Sequence, residues 1–362
     1  VSGTALRETA PRERRPAVGA AGYAVARGRG ASFLLHRRSA LVAAVLTAAL
    51  LGACLASLCL GTSAVSPGAA LRAAFGLDSS AEFVVGTLRL PRMTLGLLVG
   101  AALGVAGALI QSVARNPLAS PDIIGVTHGA AALTVGAMTY GAVSTAVLPY
   151  WSVAGGLAAA GLVYVFAWRG GLHAARFVLI GIGFAIALRS VTQLFLTKGD
   201  YQVAQQATVW MTGSLNGRGN AEAEPLAIGL LLLLPAVVWA ARAQRSVVLD
   251  DDTATALGIR LARTRLGLAT VGVLLAALAT GAAGPVDFVA LLAPQIARRL
   301  TGTAQIPLVC SALTGAFITV LADVAARTLF SPTELPVGVV TAAVGAPYLL
   351  WLIVANRTGG RA

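Results

Sequence analysis

Lysine is almost missing from this chain of 362 residues: Lys198 is the one lysine among 27 basic side chains. A phosphate-binding P-loop needs Gly-Lys followed by Ser or Thr, and Lys198 is followed by Gly199. The chain therefore has no Walker A motif and is not a nucleotide-driven motor in itself. Cysteine is scarce too. Cys54, Cys59 and Cys310 stand in apolar runs without metal-ligand spacing and read as small packing residues. The three histidines, His36, His128 and His173, are scattered, so neither a metal site nor a resident cofactor is expected. Charge is the largest deficit: Asp, Glu, Lys and Arg make up 11% of the chain, against roughly 25% in a soluble domain.

Apolar sequence fills the space. Hydrophobic residues make up 57% of the chain and the mean hydropathy is +0.80. Stretches of about 20 apolar residues recur, the length that crosses a hydrocarbon core; a β-barrel would show alternating segments of about 10 residues. The pattern predicts an all-α polytopic membrane protein with ten spans near 40–61, 93–113, 122–142, 146–167, 175–196, 225–242, 264–283, 286–299, 306–326 and 338–355. The eighth is short and bounded by proline. Dense Gly and Ala predict close helix–helix approach.

Residues 1–38 form an arm rich in Arg, Gly, Ala and Pro with no apolar periodicity, expected to be disordered. It lacks the h-region and cleavage site of a signal peptide. Its charge is assigned to holding the N-terminus in the cytoplasm, with no nucleic-acid partner expected. The transmembrane domain is expected over 39–357, with a short tail at 358–362. With the N-terminus inside, the inner segments carry twelve arginines beyond the arm, whereas the outer ones carry six basic residues: Arg72, Arg89, Arg92, Lys198, Arg218 and Arg327. The positive-inside bias puts both termini in the cytoplasm.

Three stretches carry more than hydropathy. Residues 250–259 lie between two spans on the inner side. Asp250, Asp251 and Asp252 suit an N-cap and first turn, Ala254, Ala256 and Leu257 offer a small apolar face, and Gly258 suits the C′ position. The stretch reads either as a capped connector or as a helix with something to press against. At RLPR (89–92) two arginines flank Pro91 on the outer side, against the positive-inside bias, and Arg92 sits at the wrong end of a helix dipole for a cation. They either receive carboxylates from an external protein or snorkel to lipid phosphate. At residues 114–130, Pro117 and Pro121 break the helix at the inner boundary, in a tight turn or in a gate lining a cavity. Asp323 and Arg327 are spaced to pair on one helix face.

These segments occur in order with others: RLPR (89–92), GALIQSVARNPLASPDIIGVTHGAA (107–131), DDTATALGIRLARTRL (251–266), GPVDFVALLAPQIARRLTG (284–302) and ADVAARTLFSPTELPVGVVTAAVGAPYLLWL (322–352). Together, over about 40–357, they resemble the FecCD-type permeases, membrane subunits of ABC importers for ferric siderophores, haem and cobalamin. The resemblance implies a type II importer architecture with ten spans and no enzymatic activity in this chain, ATP and Mg being bound by a partner. DDTATALGI matches the coupling helix that docks on the ATPase, which carries over to Asp251, Asp252, Thr253, Ala254, Leu257 and Gly258. Arg89, Arg92 and Arg327 match positions that pair with glutamates of an extracytoplasmic binding protein. Asn116, Pro117 and Leu118 match part of the cytoplasmic gate. The implied partners are two ATPases, a second permease (a sister chain favoured over a second copy) and the binding protein, all at a bacterial inner or plasma membrane. Ala290 and Gln295, with WMTGSLNGR (210–218) and GAPYLLWL (345–352), are similar to the ferric-catecholate branch; Asp287 is less usual. The alternatives are a cobalamin or haem permease of the same family and, more distantly, an ion-coupled secondary transporter, which needs midplane acids.

Overall fold

Each of the ten predicted spans forms one helix in the computed structural model, which describes residues 23–27, 32–61, 63–77, 81–141, 147–168, 174–249 and 251–358. The spans are α1 (Arg37–Cys59), α3 (Leu90–Ala114), α4 (Val126–Thr139), α5 (Leu148–Ala167), α6 (Ala174–Lys198), α8 (Asn220–Val247), α10 (Leu261–Ala283), α11 (Val289–Thr301), α12 (Leu308–Thr328) and α13 (Val337–Thr358). Three short helices were not expected as separate spans or lie between them: α2 (Pro67–Ala74), α7 (Tyr201–Met211) and α9 (Asp251–Ala256). Among the described residues, seven helices are long and apolar enough to cross a membrane, and α13 contributes a shorter apolar run.

α4 and α11 fall short, at 14 and 13 residues. A helix rises 1.5 Å per residue, so neither reaches across a core about 30 Å thick. Irregular backbone precedes both. Pro117 and Pro121 stand before α4, and Gly284 to Phe288 run non-helically before α11, with φ of +75° at Gly284 and +66° at Phe288. Such breaks at membrane depth hold only where protein covers them. Here the loop after α7 does so: Ser214 N donates to Ala283 O at 3.0 Å, and Arg218 Nη1 donates to Ala282 O at 2.5 Å.

α3 and α10 form the centre, while α1, α6 and α8 turn most of their surface outward. α3 packs on α12, α10, α11 and α8. It does so through bare backbone: Gly100, Gly104 and Gly107 face the main chain of Gly315, Ser311 and Ala290 with no room for a Cβ. Phe83–Arg89 is a π-helical lead-in to α3. Pro91 lacks an N–H, so the preceding turn loses its usual donor, and Leu90 N reaches back to Val85 O instead.

Two short strands stand among the described residues of the arm. Tyr23–Arg27 (β1) and Ser32–His36 (β2) pair antiparallel, with Tyr23 opposite His36 and Arg27 opposite Ser32. Both strands mix aromatic or aliphatic residues with polar ones, a composition that suits a pleated surface and that the arm's overall Arg/Gly bias conceals. α1 accordingly starts at Arg37 rather than near 40. The rest of the arm, Asp250 and the tail beyond Thr358 lie outside the described residues.

Candidate functional site

Two polar clusters sit at opposite ends of α3. The helix is 25 residues long, so they are about 37 Å apart.

The first cluster gathers the three arginines of RLPR and α12, and all are buried: Arg89 is 5% exposed, Arg92 9% and Arg327 6%. Asp323, itself 2% exposed, lies between two of them. Arg92 Nε and Nη2 reach its Oδ1 at 2.9 and 2.8 Å. Arg327 Nε lies 3.2 Å from its Oδ2, an ion pair without hydrogen-bond alignment. The expected Asp323–Arg327 pair is thus present, and Arg92 joins it from another helix. Arg92 Nη1 also donates to Glu334 Oε2 at 2.8 Å.

The other contacts go to the C-terminal end of α1. Arg89 Nη1 donates to Leu58 O at 2.7 Å and Cys59 O at 3.2 Å, and its Nη2 to Ser63 O at 2.5 Å. Arg327 Nη2 donates to Ser57 O at 3.2 Å and Ser57 Oγ at 2.9 Å. Arg89 and Arg327 therefore sit at the dipole end that favours cations. Arg92 does not, and two carboxylates offset its position. The arginines line a cavity of about 450 Å³ with Arg218, Asn216 and Glu334. A second cavity of about 580 Å³ shares Asn216, Arg218 and Glu334 and adds Gln205, Gln206 and Trp210 of α7.

The second cluster lies where α3 ends, beside α9. α9 closes with a Schellman motif: Ile259 N donates to Ala254 O at 3.0 Å and Gly258 N to Thr255 O at 2.9 Å. Gly258 has φ +74°, so the C′ assignment holds, and the glycine is there because a left-handed residue without a Cβ ends a helix at little cost. The predicted apolar face divides. Ala254 is fully buried against the bundle, whereas Ala256 and Leu257 are exposed, as are Asp252 and Thr253. Asp251 pairs with Arg265 and Arg115 at 2.7 Å each. The hydrogen bond from Arg265 outweighs the opposing effect of burial and, with the charges of Arg265 and Arg115, holds its carboxyl below the ordinary value of 3.8.

Asn116, Pro117 and Leu118 follow α3 directly. Asn116 Oδ1 accepts from Leu118 N at 2.9 Å and Asn116 O from Ala119 N at 3.1 Å, a side-chain turn that replaces helix bonds after the break. Asn116 and Pro117 line a cavity of about 200 Å³ with Gln111, Gln295 and Arg115. Buried glutamines lie beside it, and of these the sequence singled out Gln295 alone. Gln295 Nε2 donates to Gln111 Oε1 at 2.5 Å, Gln111 Nε2 to Leu291 O at 3.1 Å, and Gln244 Nε2 to Ser112 Oγ at 2.7 Å. A lone glutamine in an apolar run was the available signal. No group of three or more potential metal ligands occurs among the described residues.

A bundle of broken and whole spans, with buried arginines at one end and a capped helix beside a proline turn at the other, defines a membrane permease. The chain belongs to the FecCD transport family, whose model matches residues 46–355. It is 42% identical over 275 residues to the ferric enterobactin transport system permease protein FepG of Escherichia coli (strain K12), covering 76% of this chain and 83% of that one. It is 36% identical over 304 residues to the iron(3+)-hydroxamate import system permease protein FhuG of Bacillus subtilis (strain 168), covering 81% and 90%. Among solved structures it is similar to "An inward-facing conformation of a putative metal-chelate type ABC transporter", with a TM-score of 0.77 at 26% identity over 87% of this chain and 99% of that one. This is a multi-pass permease of the siderophore and iron-chelate ABC class in the bacterial inner membrane, a transport subunit and not an enzyme.

Proposed function

We propose that this chain passes a ferric siderophore of the catecholate type through the membrane by alternating access, driven by two partner ATPases and fed by an extracytoplasmic binding protein. The observation that carries the reading is the pair of clusters joined by α3. A single buried helix links an arginine-lined cavity to the end where α9 exposes Ala256 and Leu257 beside the Asn116–Pro117–Leu118 turn. In this reading both termini are cytoplasmic. Asp251, Asp252, Thr253, Ala254, Leu257 and Gly258 form the ATPase-coupling element, and Asn116, Pro117 and Leu118 belong to the inner gate.

Arg89, Arg92 and Arg327 form the docking end. Their internal partners give them a second duty, because each also holds α1 or α12 in place. Docking carboxylates would compete with Glu334, the more exposed of the two acids at Arg92, with 27% of its side chain accessible against 3% for Asp323. A sister permease completes the pore. Catecholate is favoured over hydroxamate by the identity to the enterobactin permease, and by Ala290 and Gln295. Iron travels within its chelator, so the chain needs no ligand set of its own.

The test is ATP-dependent uptake into proteoliposomes holding this chain, a sister permease and the ATPase, with loaded binding protein outside. Ferric enterobactin is expected to accumulate only with ATP and ahead of ferric hydroxamate, ferric citrate, haem and cobalamin. A different preferred cargo moves the substrate class. Uptake on an ion gradient without the ATPase overturns the mechanism.

A further inference from the structure

Arg115 ends α3 in the left-handed region, at φ 50° and ψ 32°. Few residues other than glycine sit there, since the Cβ crowds the following carbonyl. The conformation turns the chain out of α3, and the side chain closes on the neighbouring elements. Its Nη2 donates to Leu249 O at 2.6 Å and Val247 O at 3.3 Å, the end of α8. The same nitrogen lies 2.7 Å from Asp251 Oδ1 in the first turn of α9.

Asp251 has a second cation. Arg265, in the second turn of α10, donates Nη2 to Oδ1 at 2.7 Å and Nη1 to Oδ2 at 3.1 Å, the bidentate geometry that fixes orientation as well as distance. The Arg265 side chain is 8% exposed and its Nε has no hydrogen-bond partner among the described residues. One carboxylate therefore ties α9 to both long central helices, and the arginine on its α3 side is the residue immediately before Asn116. Elsewhere α9 rests on the bundle mainly through Ala254, a side chain of one carbon.

We propose that Asp251 is the positioning residue that converts movement of α9 into movement of the 115–118 turn, acting through Arg115 while Arg265 holds the carboxylate's angle. The proposal rests on the reading of α9 as the ATPase-docking helix. An apolar contact transmits a push and lets go under a pull; a charge-assisted pair at 2.7 Å resists both. A helix of six residues has little other grip on its surroundings.

The experiment uses the complete transporter in proteoliposomes, with ferric enterobactin as cargo, and reads chelate imported per ATP hydrolysed. Cross-linking from Leu257→Cys to the ATPase, at an exposed position on α9, reports docking separately. Asp251→Asn is expected to leave the cross-link in place and lower the import ratio by about fivefold, within the range for residues on a coupling route. Asp251→Glu is expected to recover most of it. Arg115→Gln should cost about the same, and the double variant no more than either alone, because both remove one link. If Asp251→Asn does not accumulate, Arg115→Gln against Arg115→Lys carries the test.

An unchanged ratio with the cross-link intact overturns the proposal, as do additive losses in the double variant. Loss of the cross-link in Asp251→Asn alone also overturns it, since the residue would then serve docking. Absence of the cross-link with Leu257→Cys as the only change overturns the coupling-helix reading beneath it.

Discussion

Arg92 and Asp323 are 231 residues apart in sequence and 2.8 Å apart in space, and both are almost wholly buried. Removing one partner of a buried pair leaves an uncompensated charge, at a cost of about 3–5 kcal/mol. Asp323→Asn takes the shared carboxylate from two guanidiniums at once, leaving Arg92 with Glu334 and Arg327 with Ser57. The expected result is a marked drop in the thermal unfolding midpoint of the purified protein and in its abundance in the membrane. Asp323→Asn protein as stable as the parent would mean that Glu334 and the contacts to α1 suffice to hold the arginines.

Gly107 on α3 faces the Ala290 carbonyl so closely that a Cβ has no place. Backbone cannot rotate out of the way as a side chain can, so Gly107→Ala must separate α3 from α11. Overpacking costs about 1–3 kcal/mol where side chains can adjust, and the upper end or beyond applies here. Gly52→Ala, with open space around the glycine on α1, is the matched control and should behave as the parent in the same melting experiment.

The hydropathy of the chain made the helix behind each predicted span legible, because an apolar run of about 20 residues has few other uses. The short, proline-bounded eighth span was legible as α11, but the half length of α4 was not, since Pro121 sits beside apolar sequence that reads as continuous. The short helices α2 and α7 escaped for the opposite reason: they lie in mixed segments between spans. At the sites, Gly258 was readable because a Schellman end has a local signature. The partners of Arg92 were only half readable. Asp323 and Arg327 lie four apart on one helix, but nothing local links either of them to residue 92. Gln111 meets Gln295, and Gln244 reaches Ser112, only through tertiary packing, so single glutamines in three distant segments gave no pattern.

Asp251 supplies a pH signature. Its carboxyl is held below the ordinary value of 3.8 by its hydrogen bond from Arg265 and the nearby charges. A depressed carboxylate contributes stability that is present above the unfolded value and is lost as pH falls through the folded one. Half of the side chain is exposed, so the effect is modest. The difference in melting midpoint between the parent and Asp251→Asn should be constant from neutral pH down to about pH 5 and should close below about pH 4. A difference that grows on acidification would contradict the ion-pair assignment.

In the proposed function α9 couples an ATPase to siderophore import. Gly258→Arg tests it most directly: the glycine holds φ +74° with open space around it, so a long charged side chain there disturbs the docking face and the helix end without touching the arginine-lined end. Uptake of radiolabelled ferric enterobactin would be measured in a permease-deletion strain carrying the parent chain or the variant, with membrane abundance checked in both. The account predicts uptake with the parent and its loss with Gly258→Arg at equal abundance. Normal uptake by Gly258→Arg would contradict the coupling role of α9.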